Sequence, residues 1–198
     1  MSKFWNDKIK EIEPYTPGEQ PKDKKYIKLN TNENPYPPSS KVIEKIKSMN
    51  LEDLKLYPDP DVMELAKVIA EYFSNKINDK VTHKQVFIGN GSDEVLAFIF
   101  MTFFNAGDKV YYPDITYSFY PVYADLFNVK EVKIPLNDSF EIEIQKYFGL
   151  DGHIVIANPN VPTSIALKLG EIEEIIKKNP NQLVVIDEAY VDFGAESA

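Results

Sequence analysis

Two segments of the chain combine residue types that suit the binding of an anion and of a flat ring. The run GNGSDE at residues 89–94 joins a predicted strand to a predicted helix, where turned backbone amides and the helix N-terminus favour an anion. It lacks the third glycine of a dinucleotide fingerprint and the lysine of a Walker loop. Taken alone, it is more typical of a tight turn with a capping serine. In the second segment, residues 112–120, Tyr117 opens a predicted helix, where its ring could stack on a ligand or simply pack.

Two further segments supply a polar turn and an acid. Residues 158–164 read NPNVPTS, and their prolines stiffen a turn that can present asparagine side chains to one edge. The apolar run at 183–186 ends in Asp187, and Tyr190 follows within the same turn. Each segment alone is compatible with capping or ion pairing. Together, an anion cradle, an aromatic ring, a polar turn and an acid predict a site for a phosphorylated aromatic cation.

The elements that must position these groups alternate along the chain. Strands are predicted at 86–88, 109–112, 130–134, 153–157 and 183–186, and helices at 42–46, 63–73, 92–104, 117–128, 142–148 and 169–178. Ser39 or Ser40 can cap the first of these helices, and Ser92 the third. Such alternation predicts an α/β fold with a mostly parallel sheet flanked by helices, in which ligands bind at the carboxyl ends of the strands. Residues 1–38 are predicted to form an extended N-terminal arm, and residues 39–198 the α/β domain.

Composition narrows the class of protein. A net charge of −9 argues against a nucleic-acid partner, and no apolar run is long enough to span a membrane. The absence of cysteine excludes disulfides and favours a cytoplasmic location. The two histidines, His83 and His153, have no partners at ligand spacing, so no metal site is expected. All 22 basic residues are lysines, so any arginine clamp for an anionic substrate would lie outside these residues.

Six motifs, in this order, give the chain a resemblance to histidinol-phosphate aminotransferases, which are fold-type-I pyridoxal-phosphate enzymes. Singly they are weak, but together they cover almost the whole chain. The motifs are Pro14-Tyr15-x-x-Gly18, Leu29-Asn30-x-Asn32-Glu33-Asn34-Pro35, Tyr57-Pro58-Asp59, Gly91-Ser92-Asp93-Glu94, Asn158-Pro159-Asn160-x-Pro162-Thr163 and Asp187-Glu188-Ala189-Tyr190-x-x-Phe193.

The resemblance implies a role in cofactor binding for several residues. Backbone amides around Gly91, Ser92 and Asp93 would hold the phosphate of pyridoxal phosphate. Tyr117 would stack on its ring. Asp187 would keep the ring nitrogen protonated, and Tyr190 would hydrogen-bond the ring oxygen.

The resemblance also implies contacts with substrate and with a second subunit. Tyr57 would reach the cofactor phosphate of the neighbouring subunit, which implies a homodimer with shared active sites. Tyr15 and Asn32 would line the pocket for a small phosphorylated amino substrate. The N-terminal arm (1–38) would act as a lid segment, and residues 39–198 would form a partial cofactor-binding domain.

The chain departs from the family pattern in the polar turn. Val161 stands where the family usually has the asparagine that contacts the ring oxygen, and Ser164 stands where it has glycine. Asn160 or Asn158 could compensate, and Asn160 is assigned here as a cofactor contact. Otherwise the ring oxygen relies on Tyr190 alone.

The family's Schiff-base lysine and substrate-binding arginines are expected beyond Ala198, so this chain alone is expected to be inactive. The expected activity of the parent protein is transamination between histidinol phosphate and 2-oxoglutarate. Threonine-phosphate decarboxylase, or another aminotransferase of this fold, remains an alternative within the enzyme class. A non-catalytic fragment that dimerises or binds a partner is the alternative from another class. A nicotinamide-dinucleotide oxidoreductase is disfavoured because the glycine fingerprint fails.

Overall fold

The computed structural model describes residues 3–11, 18–19 and 26–198. Its contacts divide the chain into two compact units, Met1–Ile12 with Glu64–Ala198, and Glu13–Met63. The first unit contains α1 (Asp7–Glu11), most of α3 (Met63–Ile77), and all later elements. The second unit contains α2 (Ser40–Lys47). No helix among the described residues is long and apolar enough to cross a membrane.

A four-stranded parallel sheet organises the larger unit. Its strands are β1 (Lys109–Pro113), β2 (Lys130–Ile134), β3 (His153–Ala157) and β4 (Val184–Asp187), in the order β2-β1-β3-β4. In this order the last residue of β3, Ala157, lies beside Asp187, the last residue of β4. The carboxyl ends of the two strands therefore meet at one edge of the sheet.

Helices cover both faces of the sheet, as the apolar strand sequences require. On one face, α4 (Ser92–Phe103) and α5 (Tyr120–Leu126) pack their apolar side chains against Val155 and its neighbours. On the other face, α6 (Leu169–Lys178) packs against a cluster that includes Ile154 and Ile156. Alternate residues of β3 thus enter opposite cores, and all three of these side chains are fully buried.

Most of the predicted elements are present, and three of them have the predicted bounds: β2, β3 and α6. A helix forms at α2 with Ser39 as its N-cap, whose hydroxyl accepts from the Val42 amide at 3.4 Å. The predicted helix at 142–148 is a short 3-10 helix, Ile144–Tyr147. Within the predicted N-terminal arm, α1 forms a helix, and Lys8 from it pairs with Asp125 of α5 at 2.5 Å.

Two local predictions were wrong. Residues 86–88 form no strand. A strand needs a hydrogen-bonding neighbour, and none of the four described strands lies beside this segment. Ser92 is also not the cap of α4 but its first helical residue, because Gly91 occupies the N-cap position.

The smaller unit is built from short elements with local caps. A 3-10 helix, Leu51–Lys55, follows α2 and is capped by the Asn50 side chain. The Asp59 carboxylate then accepts from the Met63 amide at 3.0 Å, which fixes the chain where α3 begins. Tyr57, just before this turn, is 99% exposed.

Candidate functional site

A cavity of about 170 Å³ opens where β3 and β4 end. Five of the predicted site residues line it together, although they come from three separate segments of the chain. The lining residues are Ser92, Asp93, Tyr117, Ala157, Pro159, Val161, Asp187, Ala189 and Tyr190. The sheet and the start of α4 therefore bring together the anion cradle, the aromatic ring and the acid.

The start of α4 presents backbone donors at this cavity. Gly91 has φ +86° and ψ 170°, a conformation that is open almost only to glycine. The first bond of the helix runs from the Val95 amide to the Gly91 carbonyl at 3.3 Å, so the amides of Ser92 and Asp93 precede the helical ladder. The Asn90 amide is already used, since it donates to the Glu94 carboxylate at 2.6 Å. The two amides and the helix dipole together suit an anion.

The ring of Tyr117 is held in place on two sides. Its hydroxyl donates to Oδ1 of Asp93 at 2.8 Å, and its ring packs edge-on against Tyr120 with centroids 5.6 Å apart. Burial, with the Asp93 carboxylate as a second cause, raises the pKa of the Tyr117 phenol above its ordinary value. The phenol therefore stays protonated and remains a donor at neutral pH.

Asp187 ends β4 with both carboxylate oxygens engaged. Oδ2 accepts from the Tyr120 hydroxyl at 2.8 Å, and Oδ1 accepts from the Ala189 amide at 3.2 Å. The carbonyl of Asp187 accepts from the Asn158 amide at 2.9 Å, which joins β4 to the turn after β3. These contacts fix the orientation of a carboxylate at the wall of the cavity.

In the predicted polar turn, the Asn160 side chain is buried inside the protein and does not face the cavity. Asn160 is 1% exposed, and its amide is used inside the protein. Nδ2 donates to the Ile115 carbonyl at 2.9 Å and to Oγ1 of Thr163 at 3.2 Å, while Oδ1 accepts from the Thr116 hydroxyl at 2.7 Å. Asn160 does not line the cavity, whereas Val161 does. The contacts of Asn160 join the loop after β1 to the loop after β3.

Three predicted residues are not brought to this cavity by the described structure. Tyr57 and Asn32 belong to the smaller unit, where Asn32 lies in a turn with φ +53°. Tyr15 lies outside the described residues. Their assignments to substrate and partner-subunit contacts therefore stay predictions.

Sequence reasoning missed several residues at or behind the site. Ala157, Pro159 and Ala189 line the cavity, and Tyr120 contacts Asp187 from behind. A small residue at or just beyond a strand end is a detectable signal for a ring that approaches closely. The partner of Tyr120 could not be predicted, because the hydroxyl of a tyrosine in an aromatic-rich segment can meet many acceptors.

The chemistry of the donor set fits pyridoxal phosphate. Free amides suit its phosphate, the Tyr117 ring suits its pyridine, and the Asp187 carboxylate suits a protonated ring nitrogen. No lysine is among the lining residues of this cavity in the described part of the chain. The lining thus offers groups suited to the non-covalent contacts of such a site.

The fold and this site define a class of protein, and comparison with known proteins identifies it. The model of the family "Aminotransferase class I and II" matches residues 24–198, so the chain belongs to that family. A curated relative, histidinol-phosphate aminotransferase from Brachyspira hyodysenteriae, is 60% identical over 100% of this chain and 54% of its own length. A second, from Clostridium acetobutylicum, is 54% identical over the same shares. The chain therefore spans about half the length of the curated relatives that it matches.

Solved structures share the fold. An aminotransferase from Mycobacterium tuberculosis gives a TM-score of 0.68 at 22% identity, over 78% of this chain and 44% of that one. Histidinol-phosphate aminotransferase from Sinorhizobium meliloti, in complex with pyridoxal-5'-phosphate, gives 0.67 at 20% identity, over 78% and 42%. L-threonine-O-3-phosphate decarboxylase from Porphyromonas gingivalis gives 0.63 at 22% identity, over 80% and 45%. At these identities the structural likeness concerns the fold alone.

Proposed function

We propose that this chain forms the cofactor-binding half of an enzyme that transfers the amino group of histidinol phosphate to 2-oxoglutarate, using pyridoxal phosphate. The observation that carries this proposal is the convergence of Ser92, Asp93, Tyr117, Asp187 and Tyr190 on one cavity at the end of a parallel sheet. The match to the aminotransferase class I and II family supports the reaction class.

Each lining group has a distinct task in this proposal. The amides of Ser92 and Asp93 bind the cofactor phosphate, aided by the positive end of the α4 dipole. Tyr117 stacks on the ring, and its bond to Asp93 holds its plane in position. The Asp187 carboxylate, at the wall of the cavity, pairs with the ring nitrogen and keeps it protonated. Tyr190 donates to the ring oxygen.

When bound, pyridoxal phosphate supplies an electron sink for the carbanion that forms when a substrate loses its α-proton. By pairing with the ring nitrogen and keeping it protonated, Asp187 would favour that chemistry. The lysine that bonds to the cofactor and moves the proton, together with the arginines that bind substrate carboxylates, is proposed to lie outside these 198 residues. This chain alone is therefore proposed to be inactive.

Identity to curated relatives supports the choice of substrate. The relative from Brachyspira hyodysenteriae carries the name histidinol-phosphate aminotransferase and is 60% identical across the whole chain. The second candidate is decarboxylation of threonine phosphate, which is favoured only by the shared fold of the Porphyromonas gingivalis enzyme. We place histidinol phosphate first because 60% identity across this chain, which covers 54% of the relative, is stronger support than a fold shared at 22% identity.

We further propose that the enzyme is a cytoplasmic homodimer with shared active sites. Tyr57 is almost fully exposed within its own unit, as a residue that reaches another subunit must be. Tyr15 and Asn32 are proposed to contact the phosphorylated substrate. The lack of cysteine in the chain suits a reducing compartment.

The test is to express the protein from its uninterrupted reading frame and to verify its mass. We expect visible absorbance on addition of pyridoxal phosphate, loss of that colour with borohydride, and glutamate formation from histidinol phosphate and 2-oxoglutarate. Release of carbon dioxide from threonine phosphate, without glutamate formation, would replace the first candidate with the second. An open reading frame that stops at Ala198 would instead favour a non-catalytic binding fragment.

A further inference from the structure

We propose that Tyr120 is a positioning residue that sets the orientation of the Asp187 carboxylate toward the cofactor nitrogen. The inference rests on the proposed function, because it assigns a role to Asp187 in binding pyridoxal phosphate. The evidence is the bond of 2.8 Å between the Tyr120 hydroxyl and Oδ2 of Asp187. The two residues are 67 positions apart in the chain, so the fold itself creates this contact.

Tyr120 is held in the core by contacts on several sides. It is the first residue of α5, and its side chain is fully buried. Its ring lies edge-on to Tyr117, with centroids 5.6 Å apart, and tilted against Tyr112, with centroids 5.8 Å apart. A phenol clamped in this way presents its hydroxyl at a fixed point, so the carboxylate that accepts from it has little freedom to rotate.

In this contact Tyr120 is the donor and Asp187 the acceptor. Burial, with the Asp187 charge as a second cause, raises the pKa of the Tyr120 phenol well above its ordinary value. The phenol therefore remains protonated and acts only as a donor. A donor to a carboxylate stabilises the ionised form, which is the form that can pair with a protonated ring nitrogen.

The two oxygens of Asp187 are engaged in different ways. Oδ1 accepts from the Ala189 amide at 3.2 Å, a local contact two residues along the chain. Oδ2 is oriented from the core by Tyr120. Without Tyr120 the carboxylate keeps one local contact and can turn about its Cβ–Cγ bond. We infer that this rotation, and not a change in the shape of the cavity, would weaken the pairing with the cofactor.

Tyr112 provides a matched control. It is also buried (1% exposed), and its hydroxyl also donates to a carboxylate, that of Glu131. Neither Tyr112 nor Glu131 lines the cavity. Tyr120→Phe and Tyr112→Phe therefore remove the same atom and the same type of bond from the same core, but only the first acts on Asp187.

The experiment uses the full-length protein and measures the dissociation constant of pyridoxal phosphate, with urea unfolding of each variant measured in parallel. We expect Tyr120→Phe to raise the dissociation constant roughly 5- to 10-fold, the loss expected for one oriented hydrogen bond. Tyr112→Phe should leave the dissociation constant within about 2-fold, at a comparable loss of stability. In an Asp187→Asn background, Tyr120→Phe should have little further effect on cofactor binding, since the two residues act through one contact.

Three outcomes separate the possibilities. If wild-type protein binds pyridoxal phosphate and both phenylalanine variants bind it equally well, Tyr120 is a core residue and the inference is overturned, while the proposed function stands. If the effects of Tyr120→Phe and Asp187→Asn are additive, Tyr120 does not act through Asp187 and the inference is also overturned. If wild-type protein does not bind pyridoxal phosphate at all, the proposed function fails and this inference fails with it.

Discussion

The hydroxyl of Tyr117 donates to Oδ1 of Asp93 across 2.8 Å, and this bond joins the segment after β1 to the first turn of α4. The stacking ring and the amides proposed to bind phosphate are thereby tied to each other before any ligand enters. Burial raises the pKa of the phenol further above neutrality, so its hydroxyl can donate throughout the neutral pH range. The site is preorganised in the sense that its ring plane is fixed by protein contacts.

Two substitutions at Tyr117 distinguish the effect of its hydrogen bond to Asp93 from the effect of its ring on the cofactor. Tyr117→Phe keeps the ring and removes the bond, so we expect pyridoxal phosphate to bind the full-length protein about 5-fold more weakly. Tyr117→Ala removes the ring as well, and the additional 1 kcal/mol or so of an aromatic contact brings the expected total loss to about 25-fold. Equilibrium titration of the cofactor checks both values. Equal affinities of the two variants would contradict a stacking role.

The Asp187 carboxylate is predicted to be the most sensitive single side chain of the site. Asp187→Asn keeps the shape and removes the charge that is proposed to hold the ring nitrogen protonated, so we expect the transamination rate of the full-length protein to fall about 100-fold or more. Asp192→Asn is the matched control, because Asp192 is a nearby carboxylate that pairs with Lys76 at 3.1 Å on the surface. Steady-state kinetics of the full-length protein should show a change of less than 2-fold for the control. Similar rates for the two variants would remove Asp187 from the mechanism.

The site residues could be predicted from the sequence where local patterns determine position, and not where distant contacts do. Asp187 follows a short β-branched run that is typical of a strand, so its place at a strand end was predictable. The orientation of Asn160 was not, because its amide is used by Ile115 and Thr116, more than 40 positions away. The contact between Tyr120 and Asp187 was hidden for the same reason.

The secondary structure, too, could be predicted where local patterns determine it and not where distant contacts do. The bounds of β3 and α6 were predicted because each has its own hydrophobic period and clear flanking turns. The segment 86–88 has equal strand propensity, yet it forms no strand, since pairing depends on a neighbour that local sequence does not reveal.

Gly91 is predicted to be needed for its backbone conformation and not for space. A Cβ at Gly91 would meet no atom within 4 Å, but its φ of +86° is strained for any other residue. Gly91→Ala should therefore lower the free energy of unfolding by about 1–3 kcal/mol and weaken phosphate binding at the start of α4. Gly170→Ala in α6 is the control: it also meets open space, has no such φ, and should be neutral or stabilising by up to about 1 kcal/mol. If both variants behave alike in urea unfolding, the conformational argument is wrong.

Ser164 occupies a position that favours glycine. Its φ is +61°, and its amide donates to the Asn160 carbonyl at 2.7 Å, which closes the turn after β3. Ser164→Gly should relieve about 1–2 kcal/mol of left-handed strain and lose part of that gain to the greater freedom of the unfolded chain. We expect a net stabilisation of about 0.5 kcal/mol in urea unfolding. Ser164→Ala keeps the strain and should show no gain, so equal stabilisation by alanine would point to the hydroxyl instead.

Two buried tyrosines offer a test of how unpaired polar groups affect stability. Tyr112 and Tyr147 are each 1% exposed. The Tyr112 hydroxyl donates to Glu131, whereas that of Tyr147 has no hydrogen-bond partner in the described structure. A buried hydroxyl without a partner has lost its hydration with nothing in return, and burial accordingly raises the pKa of the Tyr147 phenol.

The same substitution should then have opposite consequences at the two positions. Tyr112→Phe removes one donor from the Glu131 carboxylate, which is partly exposed and still pairs with Lys133 at 3.4 Å, so the free energy of unfolding should fall by about 0.5–1.5 kcal/mol. Tyr147→Phe removes a group whose desolvation is uncompensated, so stability should be unchanged or raised by about 1 kcal/mol. Urea unfolding of the two variants gives the difference directly, since the change in volume is the same. A loss at Tyr147 as large as that at Tyr112 would mean that its hydroxyl is hydrogen-bonded in solution, to water or to a residue from another part of the protein.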